Sequence, residues 1–165
     1  MSKRKISKVT GLLGSVLINI TSVALFIWHF AQIIGSSGEI PGSRGEELFQ
    51  LESALALIAV AYIIPGGITL VISVFLSEEI NADFAMKALL LILSGLLFTF
   101  ISIISYGYFL ENGAHLVLNV DHFAFGITTP IASLSILISG VLGMITASKE
   151  KARVPRNNGN TQLYQ

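Results

Sequence analysis

Three histidines and a handful of carboxylates gather at one level of this chain, and they are its candidates for chemistry. His29 and Gln32 fall late in a first apolar run, Glu52 opens a second, and Glu111 follows a third. His115, Asp121 and His122 lie just before a fourth. Imidazole nitrogens and carboxylate oxygens are ligands for divalent metals such as zinc. His29, His115, His122 and Asp121 are therefore the metal candidates. Their spacing makes no recognised motif, with neither an H-x-x-x-H pair nor H-E-x-x-H. Clusters without a motif more often serve as caps and interfacial polar groups, so no metal or other cofactor is expected. The chain has no cysteine. That removes disulfides, thiolate ligands and thiol-pair redox chemistry.

Deeper in the apolar runs the polar residues change character. Asn19, with Thr21 and Ser22, stands mid-way along the first run, and Pro65-Gly66-Gly67 interrupts the second. An amide at that depth suits a helix–helix hydrogen bond worth about 1 kcal/mol. Proline removes a backbone donor and crowds the preceding turn, so a kink or break is expected at Pro65. Transporters expose backbone groups at such breaks near the bilayer midplane. Asn19, Pro65, Gly66 and Gly67 are the residues of a possible pathway. Thr128-Thr129-Pro130 predicts a second bend in the fourth run.

The elements that carry these groups follow from the runs themselves: 9–34, 51–76, 86–110 and 123–147. Each exceeds the roughly 20 residues that cross a ~30 Å hydrocarbon core as a helix. Charge is nearly absent from them, Glu52 and Lys87 each standing at the start of its run. Of the 165 residues, 53% are hydrophobic and 12% charged, about half the charge of a soluble domain. Backbone polar groups must be satisfied internally in lipid, which leaves helices or a closed barrel. Barrel strands are segments of about ten residues alternating in polarity. These runs are longer and apolar all round, so the expected fold is an all-α four-helix transmembrane bundle, kinked in its second and fourth helices. Residues 1–8 form a basic head and 148–165 a disordered, basic tail.

Orientation follows from the cations. Lys3, Arg4, Lys5 and Lys8 precede the first span, Lys87 marks the second connection, and Lys149, Lys151, Arg153 and Arg156 follow the last. Arg44 alone lies on the opposite side. The positive-inside rule then places both termini in the cytoplasm of a multi-pass cell-membrane protein. Trp28, Tyr106 and Tyr108 fit an aromatic belt on the outer side. The apolar start is too long for the core of a signal peptide and lacks an A-x-A site, so it reads as an uncleaved first span.

Ser135, Ser139, Gly143 and Ala147 form a small-residue ridge on the fourth span, each four apart, and Gly11 and Ser15 are a shorter counterpart on the first. Such ridges let helix backbones approach closely. The fourth-span ridge is expected to face the first span or a second copy of the chain. No Ser-His-Asp set, deep carboxylate or facing histidine pair supports catalysis, proton antiport or haem binding. The expectation is a non-enzymatic membrane protein acting by helix association, as a homo-oligomer or an accessory subunit. A small transporter or channel using the second helix is the alternative, and an outer-face metal site a weaker one. The expected partners are the lipid bilayer and another membrane protein or a second copy; no nucleic acid is expected.

Overall fold

A computed structural model describes residues 3–36, 44–76, 82–112 and 119–153. The connections through Pro41 and Asn81, the loop residue His115 and the tail with Pro155 and Arg156 lie outside the described residues. The chain is helical: α1 (Lys3–Ser36), α2 (Arg44–Val74), α3 (Ala82–Asn112), a short α4 (Asn119–Phe123), a π-helical turn (Ala124–Thr128) and α5 (Thr129–Arg153). Four helices are long and apolar enough to cross a membrane. They run past the apolar stretches: α1 begins in the basic head, α2 begins before Leu51 and α5 continues beyond Ala147.

Burial explains why these sequences pack as they do. On α3 the buried positions are Phe84, Ala88, Leu91, Gly95, Phe98, Ser102, Ser105 and Phe109. Their steps alternate four and three, the 3.5-residue seam of helices packed knobs into holes. On α1 the seam is Ser7, Gly11, Ser15, Ile18, Ser22, Leu25 and His29. It is built mostly of small and polar groups, so neighbours lie close. The opposite face of α1 shows Leu13, Ile20, Ile27 and Ile34, each more than half exposed. The hydrophobic residues are thus divided between a core and an outward apolar surface.

Helix α1 packs extensively on α2 and α5, and α3 on α5, while α2 and α3 touch much less. Sequence neighbours run antiparallel. At the end holding the termini, Ser7 donates to the Ser139 carbonyl (2.8 Å) and Ser139 donates back to the Ser7 carbonyl (2.6 Å). Glycines set the closest approaches. A Cβ at Gly95 would lie 2.7 Å from the Leu137 backbone nitrogen, and one at Gly140 would lie 2.6 Å from that of Ile92. Real side chains do not tolerate those distances, so α3 and α5 are in backbone contact.

The two proline sites differ. Helix α2 is continuous across Pro65-Gly66-Gly67, so the chain is not broken there as one of the two sequence expectations had it. Thr69 donates its hydroxyl to the Pro65 carbonyl (2.7 Å). Ahead of Pro130 the helix widens instead. The Thr129 N–H reaches back five residues to the Ala124 carbonyl, and Thr128 Oγ1 donates to the Phe123 carbonyl (3.1 Å). Proline has no N–H to give its i−4 carbonyl and crowds it; a π-turn is one way a helix accommodates such a defect, and these turns often mark functional sites.

Candidate functional site: a buried carboxylate–imidazole–carboxylate triad

At the end of the bundle away from the termini, three ionisable side chains meet. His29 comes from the last third of α1, Glu52 from the first third of α2, and Asp121 from α4. His29 and Asp121 are fully buried, and Glu52 is 7% exposed. His29 Nδ1 lies 2.6 Å from Glu52 Oε2, the length of a strong charge-assisted bond. His29 Nε2 lies 2.9 Å from Asp121 Oδ1. This second contact has ion-pair distance but not hydrogen-bond alignment: neither Nε2 nor either Asp121 oxygen has an aligned partner among the described residues. Distance governs the electrostatics here and alignment the bond strength, so the contact is an ion pair without a formed hydrogen bond.

Local sequence explains how each group arrives. His29 continues the α1 seam, seven residues beyond Ser22 and fourteen beyond Ser15. Glu52 sits beside Leu51 and one turn before Leu55 on the buried face of α2. Asp121 depends on the π-turn. The buried face of α5 passes through Ile136, Ser133, Ala132 and Thr129. Carried backward at about 100° per residue, that face meets Phe125 and then His122. The wide turn takes up one extra residue, so Asp121 turns inward instead. His122 lies half-buried against α3, edge-on to Phe109 (4.6 Å) and Tyr106 (6.1 Å).

Proton counting follows from this geometry. Neutral imidazole has one N–H, yet both nitrogens face carboxylate oxygens. With both carboxylates ionised and the ring neutral, a nitrogen lone pair would confront an oxygen lone pair. The triad therefore holds two protons in this arrangement. They sit either both on the ring, or one on the ring and one on a carboxyl. Either way its net charge is −1.

About 12 Å from Asp121 along the axis through α4, the π-turn and the start of α5, at 1.5 Å per residue, a hydroxyl chain links three helices. Tyr62 donates to Ser102 (3.1 Å), Ser102 to Thr129 (3.1 Å), and Thr129 to the Phe125 carbonyl (3.3 Å) within the π-turn. Tyr62 also stacks on Phe98, with ring centroids 6.0 Å apart.

The remaining candidates fall elsewhere. Among the described residues no group of three or more His, Asp or Glu side chains is placed to hold a metal ion; His115 lies outside them. Gln32 and Glu111 are exposed. Asn19 donates to the Ser15 carbonyl (2.7 Å), and a Cβ at Gly66 would lie 3.1 Å from its amide nitrogen. Gly67 faces open space. The ridge on α5 meets helices of its own chain. A Cβ at Gly11 would lie 2.6 Å from Ser139 Oγ, one at Gly14 would lie 3.0 Å from Ser135 Cβ, and one at Gly143 would lie 2.8 Å from Ala88 Cβ. Ser15 shares a 3.2 Å hydrogen bond with Ser73, and Ala147 packs on the core.

Sequence reasoning included all three members of the triad in its polar cluster but did not single them out. The signal was the seven-residue step from Ser15 through Ser22 to His29. It missed the hydroxyl chain and the backbone contacts at Gly14, Gly95 and Gly140. No protein-family model, curated protein or solved structure matches this chain.

Proposed function

We propose that this is a small, non-enzymatic integral membrane protein that senses protons at the outer end of its bundle through Glu52, His29 and Asp121. The four helices cross the bilayer with both termini in the cytoplasm of the cell membrane, and the triad lies near the outer interface. There it controls how the bundle associates with a membrane-protein partner or a second copy. One observation carries the reading: two carboxylates and an imidazole, drawn from three separate segments, meet in the buried interior with the ring within 2.9 Å of each carboxylate. Ionisable groups buried in a membrane domain are expensive and usually functional. The apolar outward faces of all four helices support lipid as the surrounding solvent, and the nine cations on the termini side support the orientation.

Depth favours a sensor over a carrier. His29 stands about 15 Å along α1 from Asn19, at 1.5 Å per residue, and Asn19 lies near the middle of the Lys3–Gly35 span. Carriers hold substrate near the midplane, whereas here Asn19 and Gly66 pack against each other.

The test is crosslinking followed by native mass spectrometry from membranes held at two external pH values. The association state is expected to change with pH in the wild type and not in His29→Gln. A partner set that is the same at both pH values in the wild type refutes the proposal. A second reading, proton conduction, draws support from the hydroxyl chain Tyr62–Ser102–Thr129. Acid-driven proton flux into proteoliposomes that disappears in Tyr62→Phe would select it.

A further inference from the structure

We propose that the π-turn at Ala124–Thr128 is a register switch set by the proton count of the triad. With two protons bound the turn stays wide and Asp121 faces His29. When one proton leaves, the turn closes to α-helix, Asp121 rotates outward and His122 takes its place. The inference rests on the proton-site reading and names how that site is coupled to the rest of the protein.

The register supplies the first argument. One extra residue in a turn offsets everything before it by about 100°. Asp121 and His122 are adjacent, so that offset is what exchanges one for the other on the inner face. No other neighbouring pair in α4 would trade a carboxylate for an imidazole.

Charge supplies the second. Glu52 from α2 and Asp121 from α4 are the charged groups facing His29 among the described residues. Among described ionisable groups nearby, Glu111 at the end of α3 is exposed and His122 faces α3; the described part of α5 has no charged residue before Lys149. Loss of one proton leaves two buried carboxylates about a neutral ring, net −2. Exchanging Asp121 for neutral His122 returns the site to −1 and sends the second carboxylate toward water. Like charges held together in low dielectric are strongly disfavoured, so deprotonation drives the exchange in this direction.

The fold makes the motion cheap. Pro130 has no N–H, so no backbone bond to Gly126 need be broken. His122 is held in its present position by ring contacts alone among the interactions seen. Gly126 lies against Tyr106, where a Cβ would sit 3.1 Å from the ring, so the turn packs on the aromatic with no side chain of its own at that point. Below the turn, Thr129 is anchored by Ser102 and fixes the pivot.

The experiment is nuclear magnetic resonance of nitrogen-15, carbon-13 histidine-labelled protein in nanodiscs, titrated across the pH range in which it stays folded. The His29 ring nitrogens report proton loss, and cross-peaks from His122 report its neighbours. At low pH, His122 is expected to show contacts to Phe109. As His29 or its partners lose a proton, those contacts are expected to vanish and His122–His29 contacts to appear, with the same midpoint. Deletion of Ile127, an outward residue of the turn, removes the extra residue and should hold His122 against His29 at every pH. Loss of a triad proton with the His122–Phe109 contact unchanged overturns the switch and leaves the proton site standing. A triad that holds its protons throughout overturns both. The wild-type titration decides the matter even if the deletion variant does not fold.

Discussion

Replacing His29 by alanine should be the most damaging single change at the triad, and replacing both carboxylates by amides should be much milder. With charge centres about 4 Å apart, each carboxylate attracts an imidazolium by about 4 kcal/mol at an effective dielectric near 20. Burying each ion costs several kcal/mol, so the intact triad contributes little net stability. His29→Ala removes both attractions at once and keeps both burial penalties, because Glu52 and Asp121 remain almost without water contact. Stranding buried charge in this way costs about 3–5 kcal/mol. The variant can recover part of that by protonating both carboxyls or, through the π-turn, by sending Asp121 outward.

Glu52→Gln with Asp121→Asn is the opposite experiment. A neutral ring offers one donor and one acceptor, and each amide can supply either. The site loses its charge but keeps its hydrogen-bonding capacity, so stability should stay within about 1 kcal/mol of the wild type. The assay is reversible unfolding in mixed micelles at increasing denaturing detergent, followed by circular dichroism. Each single variant should fall between the wild type and His29→Ala. The reasoning is refuted if His29→Ala unfolds where the wild type does, or if the double amide variant is less stable than His29→Ala. Either result would mean that the side chains are hydrated in the membrane protein and carry no burial penalty.

Three further outcomes follow from the packing. Gly140→Leu should destabilise by about 1–3 kcal/mol or more and loosen α3 from α5, because its Cβ would meet the Ile92 nitrogen at 2.6 Å; Gly107→Ala, with nothing within 4 Å, should be neutral or stabilising by about 0.5 kcal/mol. The same detergent titration compares them. Tyr62→Phe should cost about 0.6–1.7 kcal/mol, the average to the maximum for interhelical hydrogen bonds in membranes, and should speed hydrogen exchange more at Thr129 than at Phe98 if the hydroxyl is what matters. Lys87→Met removes an exposed i,i+4 pair with Asp83 and a bond to the Phe75 carbonyl (2.9 Å), and should cost no more than about 1 kcal/mol, read by hydrogen exchange at the end of α2.

The four helices were legible because apolar runs of that length have one common use. The ends were less so, since helices extend into polar flanks where hydropathy is silent: α2 begins at Arg44 and α5 reaches Arg153. The ridge at Ser139 and Gly143 could be seen, but not which helix covers it, because a step of four small residues looks the same from inside and outside a bundle. The structure turns it inward, onto Gly11 and Ala88. Gly95 and Gly140 were invisible for a related reason. A glycine in an apolar helix signals close approach only when the partner backbone is known.

The triad shows where periodicity stops being a guide. From Thr129 downward a 3.6-residue repeat places every buried residue of α5 correctly. Continued upward, the same repeat puts His122 inside and leaves Asp121 near the edge of the face. What corrects it is one extra residue of turn, and the local sequence Ala124-Phe125-Gly126-Ile127-Thr128 has no periodic pattern that would announce it. Pro130 is the one readable cause. It identifies a defect in the hydrogen-bond ladder without saying whether the helix keeps its register or widens, as here. Bending would have kept the register and left Glu52 and His29 as a simple pair. Widening changes the register, adds the second carboxylate, and turns an ordinary salt bridge into a site that needs a second proton to satisfy both contacts of the ring.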